Sequence, residues 1–411
     1  LAMPALMLGD LRLRTQSLPG TETPPASFGP ETVPDLARAL AARPHRVRDD
    51  ALPPAFTRLD YDGYRRVVFD PARALWADSG LPFQLQPHHR GFLFTRRVEL
   101  HEVTDGMARP IRYDASAFRF DGVTPPEGDL GFSGFRITHP LNRDGHFDEL
   151  CVFQGASYFR AVGRGQAYGL SARGLAIRTA DRAGEEFPDF TAFWIERPAP
   201  DARIITVHAL LESESLTGAY RFEITPGEAT TMRVESRLFP RVRVTRLGVA
   251  PGTSMFWFGP NDRGEVSDFR PAVHDSDGLL MHSGGGERIW RPLNNPRTLQ
   301  ISGFQDRAPR GFGLMQRRRS FADYQDLEAE YHRRPGLWVE PEGDWGEGEV
   351  SLVEIPTRSE IHDNIVAAWI PRGTLAAGEE QRFTYRLHWL AAPPPAEGVS
   401  DFTSTRAGAV E

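Results

Sequence analysis

Two carboxylates set in short polar stretches are the residues of this chain best suited to chemistry. Asp275 stands in Val273-His274-Asp275-Ser276-Asp277-Gly278, and Asp363 in Ile361-His362-Asp363-Asn364-Ile365-Val366. Each has small, polar or glycine neighbours rather than an apolar run, and each region is rich in Trp, Arg and Gly. Cleavage of a glycosidic bond takes one carboxylic acid to protonate the leaving oxygen and a second carboxylate to activate water or attack the sugar. Asp275 and Asp363 are the candidate pair. In the first stretch, one Asp would face a cleft while Asp277 braces a turn; the competing reading is an Asx-turn ahead of Gly278. For Asp363 the competing role is a turn or cap before Ile365. An acid must hold its proton near neutral pH, which burial beside apolar groups promotes, and Trp345 and Trp369 are the expected neighbours. Glu287, after a Gly triplet, and Asp344, in Gly343-Asp344-Trp345-Gly346, are the reserve carboxylates.

A sugar presents apolar C–H faces and rings of hydroxyls, so its cleft calls for flat aromatic platforms among charged hydrogen-bonding groups. Tyr158, Arg160, Arg173, Trp290, Arg291, Tyr331, Trp338 and Trp345 are of those types, and with Asp277, Glu287 and Asp344 they complete the candidate binding set. A Trp in a β protein is also a core residue. Arg173 and Arg291 would serve equally to hold scaffold carboxylates.

Other chemistries fit less well. His88 and His89 are adjacent, the remaining histidines are scattered, and a lone cysteine forms no ligand cluster, so no metal or other cofactor is expected. Gly155-Ala156-Ser157-Tyr158 lacks the second glycine of a nucleophile elbow, and Gly284-Gly285-Gly286 lacks the Lys-Ser/Thr ending of a phosphate loop. Cys151 reads as a strand residue entering the core. A net charge of -7 excludes a general nucleic-acid binder. Arg317-Arg318-Arg319 reads as a solvated or salt-bridged face.

The elements that position these groups are strands. A chain of 411 residues, 40% hydrophobic, buries a large core. From about residue 60, apolar runs alternate with Gly, Pro, Asn and Asp roughly every ten residues, the all-β pattern. Tyr220-Phe222-Ile224 and Met232-Val234-Ser236-Leu238 show period two, with Arg221, Glu223, Arg233, Glu235 and Arg237 outward. Val207–Ala209, Val242–Val244 and Arg382–Trp389 are further strands. The pattern predicts a large antiparallel β-sandwich. Two short helices are expected, one over 35–42 capped by Asp35, the other over 321–332 with Phe321, Tyr324, Leu327 and Tyr331 apolar. Residues 1–34 read as a leader remnant and linker, 35–390 as one domain, and 391–411 as a Pro-rich linker with a truncated tail. No stretch reaches about 18 consecutive apolar residues, so stable membrane insertion is not expected.

Several blocks carry a resemblance. Gly155–Arg160, Gly169–Ala176, Glu185-Glu186-Phe187-Pro188, His274–Gly278, Trp290–Leu293 and Asp363–Val366 resemble, in order, the signature blocks of the periplasmic glucan biosynthesis protein G/D family. The resemblance runs from about residue 60 to about residue 389. It implies a galactose-mutarotase-like supersandwich, a periplasmic location, a β-glucan partner and a homodimer. Members typically continue into an immunoglobulin-like domain, so the resemblance leads to the expectation that this sequence is a fragment or a shorter form. In the glucanase branch the matching Asp-Asn-Ile-Val aspartate is the general acid and the first Asp of the other motif the base, which implies those roles for Asp363 and Asp275. Arg288 stands where the family usually has Trp.

The resemblance thus implies an endo-acting, inverting β-1,2-glucan hydrolase in which protons reach the base through a substrate hydroxyl and waters. Two alternatives stay open: a transglycosylase that cyclises or remodels the glucan, and a non-catalytic scaffold that guides nascent chains.

Overall fold

The period-two runs become long strands. In Leu216–Thr225, Tyr220, Phe222 and Ile224 are buried while Arg221 and Glu223 face outward. Its antiparallel neighbour Thr230–Pro240 sets Arg221 opposite Glu235 and Glu223 opposite Arg233. Charges of opposite sign therefore tile the wet face, each exposed pair contributing about 0.2–1 kcal/mol. Val242 and Val244 do not extend this strand. Val242 is exposed and Val244 makes only a bridge to Leu375.

The computed structural model describes residues 24–394 and Thr405. Among them, two large sheets of 12 and 10 strands pack face to face, and every strand pairing but that of Asp189–Glu196 with Glu99–Thr104 is antiparallel. Aromatic side chains interlock between the layers. Phe135 packs on Phe193 at 5.0 Å between ring centroids, Phe153 on Phe222 at 5.2 Å and Phe159 on Trp389 at 6.0 Å. Such pairs add about 0.5–1.5 kcal/mol each beyond the burial of their area. The expected β-sandwich is what the chain forms.

Cys151 lies within this core on the strand His146–Gln154, fully buried, and burial pushes its thiol well up. The native protein is therefore expected to be unreactive toward a thiol-specific chromogenic reagent at pH 8, and to release one equivalent of colour on unfolding. Rapid labelling of the folded chain would contradict this placement.

In the 10-stranded sheet the order runs Gln300–Arg307, Glu347–Glu354, Ile365–Pro371, Leu247–Ser254, Ser171–Arg173, Tyr158–Ala161, His146–Gln154, Phe132–Arg143 and Gln84–His89, with Leu175–Ile177 pairing Leu247–Ser254 beside this path. Half of the neighbours in this order are not neighbours in sequence, among them Ile365–Pro371 beside Leu247–Ser254 and Leu247–Ser254 beside Ser171–Arg173. That order brings the ends of four distant segments side by side, as described below.

The N-terminal helix forms over Thr32–Ala41 rather than 35–42. Asp35 lies inside its first turn and pairs with Arg38 instead of capping it. The helix lays Val33 and Ala37 on Trp194, Leu210 and Phe239 of the 12-stranded sheet. The fold also begins earlier than residue 35: Ala26–Ser27 pairs with Met107–Pro110, and Phe28 stacks on Trp194. The remainder of the expected leader, and most of the tail after Pro394, lie outside the described residues.

The helix expected over 321–332 is absent. Two single 3₁₀ turns, Phe321–Asp323 and Tyr331–Arg333, stand in its place. Gln325 and Glu330 take left-handed φ values of 54° and 46°, and the Asp326 carboxylate accepts the N–H groups of Glu328 and Ala329. A side chain that satisfies backbone donors locally competes with helix formation, and here it wins. Tyr324 and Tyr331 point inward from separate turns, while Leu327 stays exposed.

Candidate functional site

Asp363 projects from the loop that joins Glu347–Glu354 to Ile365–Pro371. Its neighbour Asn364 fixes that loop. The Asn364 side chain accepts from Phe256 N at 2.8 Å and donates to the carbonyls of Phe256 at 3.0 Å and Ile355 at 2.9 Å. Strand register then aligns the partners. Ile365 lies opposite Ser254, Thr253 opposite Ser171, and Arg173 opposite Tyr158. Tyr158, Arg160, Arg173 and Asp363 thus gather at one end of the sheet.

Arg160 donates to Ser171 Oγ at 2.6 Å and stands 3.9 Å from Asp363. Arg173 is held by Thr253 Oγ1 at 2.9 Å and Glu185 at 2.6 Å, and covers the rings of Tyr158 and Phe187. The Asp363 carboxyl is raised above the ordinary Asp range, first by burial, with Arg160 opposing the shift and Asp275 adding to it. Its side chain keeps 37% of its surface open, so the protein surrounds it without sealing it from solvent.

Asp275 comes close enough to act on Asp363 from the end of the short strand Val273–His274, which pairs with Phe256–Phe258. Its N–H donates to Met255 O at 2.8 Å, Ser276 Oγ meets Ser254 Oγ at 2.8 Å, and Asp277 N–H donates to Met315 O at 2.9 Å. The stretch is therefore an anchored crossing, not an Asx-turn. Gly278 starts the next strand, and a Cβ there would fall 2.1 Å from the Trp290 ring, which explains the glycine. The Asp275 carboxylate is 4% exposed as a residue and takes one hydrogen bond on Oδ1, from Arg334 Nη1 at 2.6 Å. Among the described residues its Oδ2 accepts none.

Behind this pair lies a chain of contacts that ties three loops together. Arg334 covers the Tyr331 ring at 4.3 Å, and the Tyr331 hydroxyl donates to Glu360 Oε2 at 2.6 Å. Glu360 is held by Arg270 at 2.8 Å, and the same guanidinium binds Asp326 at 2.7 Å and Asp268 at 2.9 Å. The segments 263–271, 320–334 and 355–364 thus meet on one side chain. Beneath them His274 donates Nδ1–H to Gln316 at 3.1 Å, Gln316 donates to Tyr331 O at 2.5 Å, and burial lowers the His274 pKa against the opposing pull of Asp277.

The remaining candidates are placed elsewhere. Asp277 is bound by Arg317 through Nε at 3.1 Å and Nη2 at 3.0 Å, and Arg317 covers Trp290 at 4.1 Å, so both braces face each other rather than a ligand. Arg291 pairs with the fully buried Glu354 at 2.7 Å. Tyr331 is 2% exposed with its hydroxyl engaged by Glu360, and Trp338 is buried over Gly311. Trp345 packs on Trp369, Phe383 and Tyr385 in the main core. It and Asp344 adjoin Glu347, at the opposite end of an eight-residue strand from Glu354 and Asp363. That is about 23 Å of strand, so Trp345 is no neighbour of Asp363. Glu287 is exposed at the tip of the Gly278–His282 and Arg288–Pro292 hairpin, again the end away from Asp275.

The family model described as "Periplasmic glucan biosynthesis protein, MdoG" matches residues 28–411. The chain belongs to the periplasmic glucan biosynthesis protein MdoG family. Among members of this family, the glucans biosynthesis protein G of Vibrio cholerae O395 is 57% identical over 387 residues, covering 93% of this chain and 71% of the relative. Those of Rhodopseudomonas palustris BisA53 and Bradyrhizobium diazoefficiens are 54% identical over 384 residues, 93% of this chain and 76% of theirs. Crystal structures of the GH36 α-galactosidases AgaB and AgaA from Geobacillus stearothermophilus align at 10% identity with TM-scores of 0.30 and 0.29, over 62% of this chain and 38% and 39% of theirs. The family's description implies the periplasm, and no described helix is long and apolar enough to cross a membrane.

For this MdoG-family chain, reading the sequence missed Arg334, Glu360, Arg270 and Asn364. Arg334 sits in Arg333-Arg334-Pro335-Gly336, which carries no periodic or motif signal. Glu360 and Asn364 flank Asp363 in sequence, and only the polarity of that loop marks them.

Proposed function

We propose that this protein is an endo-acting, inverting β-1,2-glucan hydrolase, with Asp363 as general acid and Asp275 as general base. The observation that carries the reading is the unequal setting of the two carboxylates. The Asp363 carboxyl is raised above the ordinary Asp range, first by burial and further by the nearby Asp275, whereas Asp275 is paired with the Arg334 guanidinium at 2.6 Å. Environments that differ for two carboxyls are what acid and base roles require. Asp363 protonates the leaving oxygen; Asp275 receives, on Oδ2, the proton lost by the attacking water. Arg160 and Arg173 orient sugar hydroxyls beside the acid. Because Asp275 is nearly closed off behind Arg334, the proton travels to it through a substrate hydroxyl and waters, in line with the resemblance described above.

That enclosure favours one second reading. A cleft in which bulk water reaches the base poorly suits transfer to an acceptor sugar, giving a transglycosylase. Incubation with linear β-1,2-glucan, followed by reducing-end assay and mass spectrometry, separates the two. New reducing ends are expected; cyclic or rearranged products without them establish transfer, and unchanged but bound glucan establishes a scaffold.

The acid role also fixes a pH dependence. Asp363 works protonated, and its raised pKa retains the proton to higher pH, so turnover falls as pH rises through that value. The descending limb of the profile is expected above the ordinary Asp range. A rate that keeps rising to pH 9 would remove Asp363 from the acid role.

A further inference from the structure

The row of polar and aromatic groups does not end at Tyr158. On the side away from Asp363, a recess of about 50 Å³ opens among Leu93, Phe94, Arg96, Gln154, Tyr158 and Asp189. Tyr158 belongs to both places, lining the recess with its body while its ring carries Arg173.

The charged groups of the recess are only loosely paired. Arg96 stands 3.6 Å from Asp50 and 4.0 Å from Asp189, both beyond hydrogen-bond length, and among the described residues its guanidinium donates no hydrogen bond. Among the described residues the Asp189 side chain accepts no hydrogen bond, and Arg96 faces it at 4.0 Å. Unsatisfied groups of this kind cost free energy unless something completes them. Leu93, next to them, leaves 76% of its surface exposed and covers nothing in the fold.

The wall between Tyr158 and the recess is also built with effort. Gly155 and Ala156 are both left-handed, with φ values of 80° and 44°, a conformation that costs an alanine about 1–2 kcal/mol. Hydrogen bonds from Phe190 N to Ala156 O at 3.0 Å and from Gly174 N to Ser157 O at 2.8 Å hold the turn, and Phe94 fills the space that a side chain at Gly155 would need. Strain held this way clusters at ligand sites.

We propose that this recess is a distal sugar station: it takes one hexopyranose of the same β-glucan chain whose scissile bond lies at Asp363, and so sets the chain length the protein prefers. Vicinal hydroxyls bridge the Asp189 carboxylate, further hydroxyls accept from Arg96, and a C–H face lies on Leu93 and Phe94. The shallow recess receives one edge of the ring, leaving the other to solvent as the chain passes on. The inference rests on the glucan reading above.

Leu93→Ser and Arg96→Ala test it, since both side chains are largely exposed and neither supports the core. Each is made in an Asp363→Asn background to stop turnover, and a ladder of linear β-1,2-glucan oligosaccharides is titrated by calorimetry. Chains long enough to reach the recess are expected to bind about tenfold more weakly than to the parent, while the shortest chains that bind are unaffected. Equal affinity for every length, or a uniform loss at all lengths, overturns the station but leaves the glucan reading standing. Failure of the parent to bind any chain overturns both.

Discussion

Replacing Asp363 by Asn is expected to lower glucan turnover on the order of 10²–10⁴-fold, the range for removal of a general acid, and to leave glucan affinity within a few-fold of the parent. Asn has the same shape and cannot supply the proton. Its amide still meets Arg160, whose contact with Asp363 is a loose 3.9 Å and whose position is set by Ser171. The substitution also has a sign in stability. The folded protein raises the Asp363 pKa, so the stabilising contribution of the protonated carboxyl is complete at pH below the unfolded value and is lost as pH rises through the raised one. At pH 8 the parent carries an ionised group that its surroundings disfavour, and the Asn variant does not. Thermal melts should show the variant gaining on the parent from pH 4 to pH 8. Loss of binding in parallel with turnover would make Asp363 a binding residue instead.

Arg291→Met is expected to cost about 3–5 kcal/mol in stability without touching the acid and base. Glu354 is 0% exposed, and its carboxylate is held by Arg291 at 2.7 Å and by the N–H of Asn294 at 2.7 Å. Removing the guanidinium leaves a buried charge with half of its partners. The double variant Arg291→Met with Glu354→Gln should recover a large part of the loss, because the remaining amide is neutral. Denaturant melts of the single and double variants decide the matter. A single variant as stable as the parent would show that Glu354 finds another partner, and a selective loss of glucan affinity would return Arg291 to the binding set.

The strands were legible because each buried face imposes its own period. Tyr220, Phe222 and Ile224 alternate with charges whatever the rest of the fold does. The turn segment 320–334 was not. Its apolar spacing imitates a helix, but Asp326 satisfies local N–H groups and Arg270, and no spacing rule reveals a carboxylate claimed from 56 residues away. The site divides in the same manner. Asp275, Asp363, Tyr158, Arg160 and Arg173 stand out by type and by resemblance, yet their meeting depends on a strand order that follows neither sequence nor period. Arg334 was invisible because a guanidinium opposite a carboxylate leaves no mark in its own neighbourhood. Trp338 and Trp345 misled for the opposite reason: large aromatic residues in glycine-rich sequence also fill the places where two sheets close on each other.

Arg270 joins three carboxylates from three segments that are far apart in the chain, and one of those segments carries Asp363. A joint of this kind couples the three segments. Withdrawal of 263–271 would carry off Arg270 together with Asp268 and leave Asp326 and Glu360 without their shared cation. Separation of the three segments should slow as salt is removed and quicken as salt is added, because salt screens these ion pairs. Insertions that lengthen any of the three segments will be tolerated wherever the carboxylate keeps its appointment with the guanidinium, which gives evolution freedom in loop length while fixing three acidic positions.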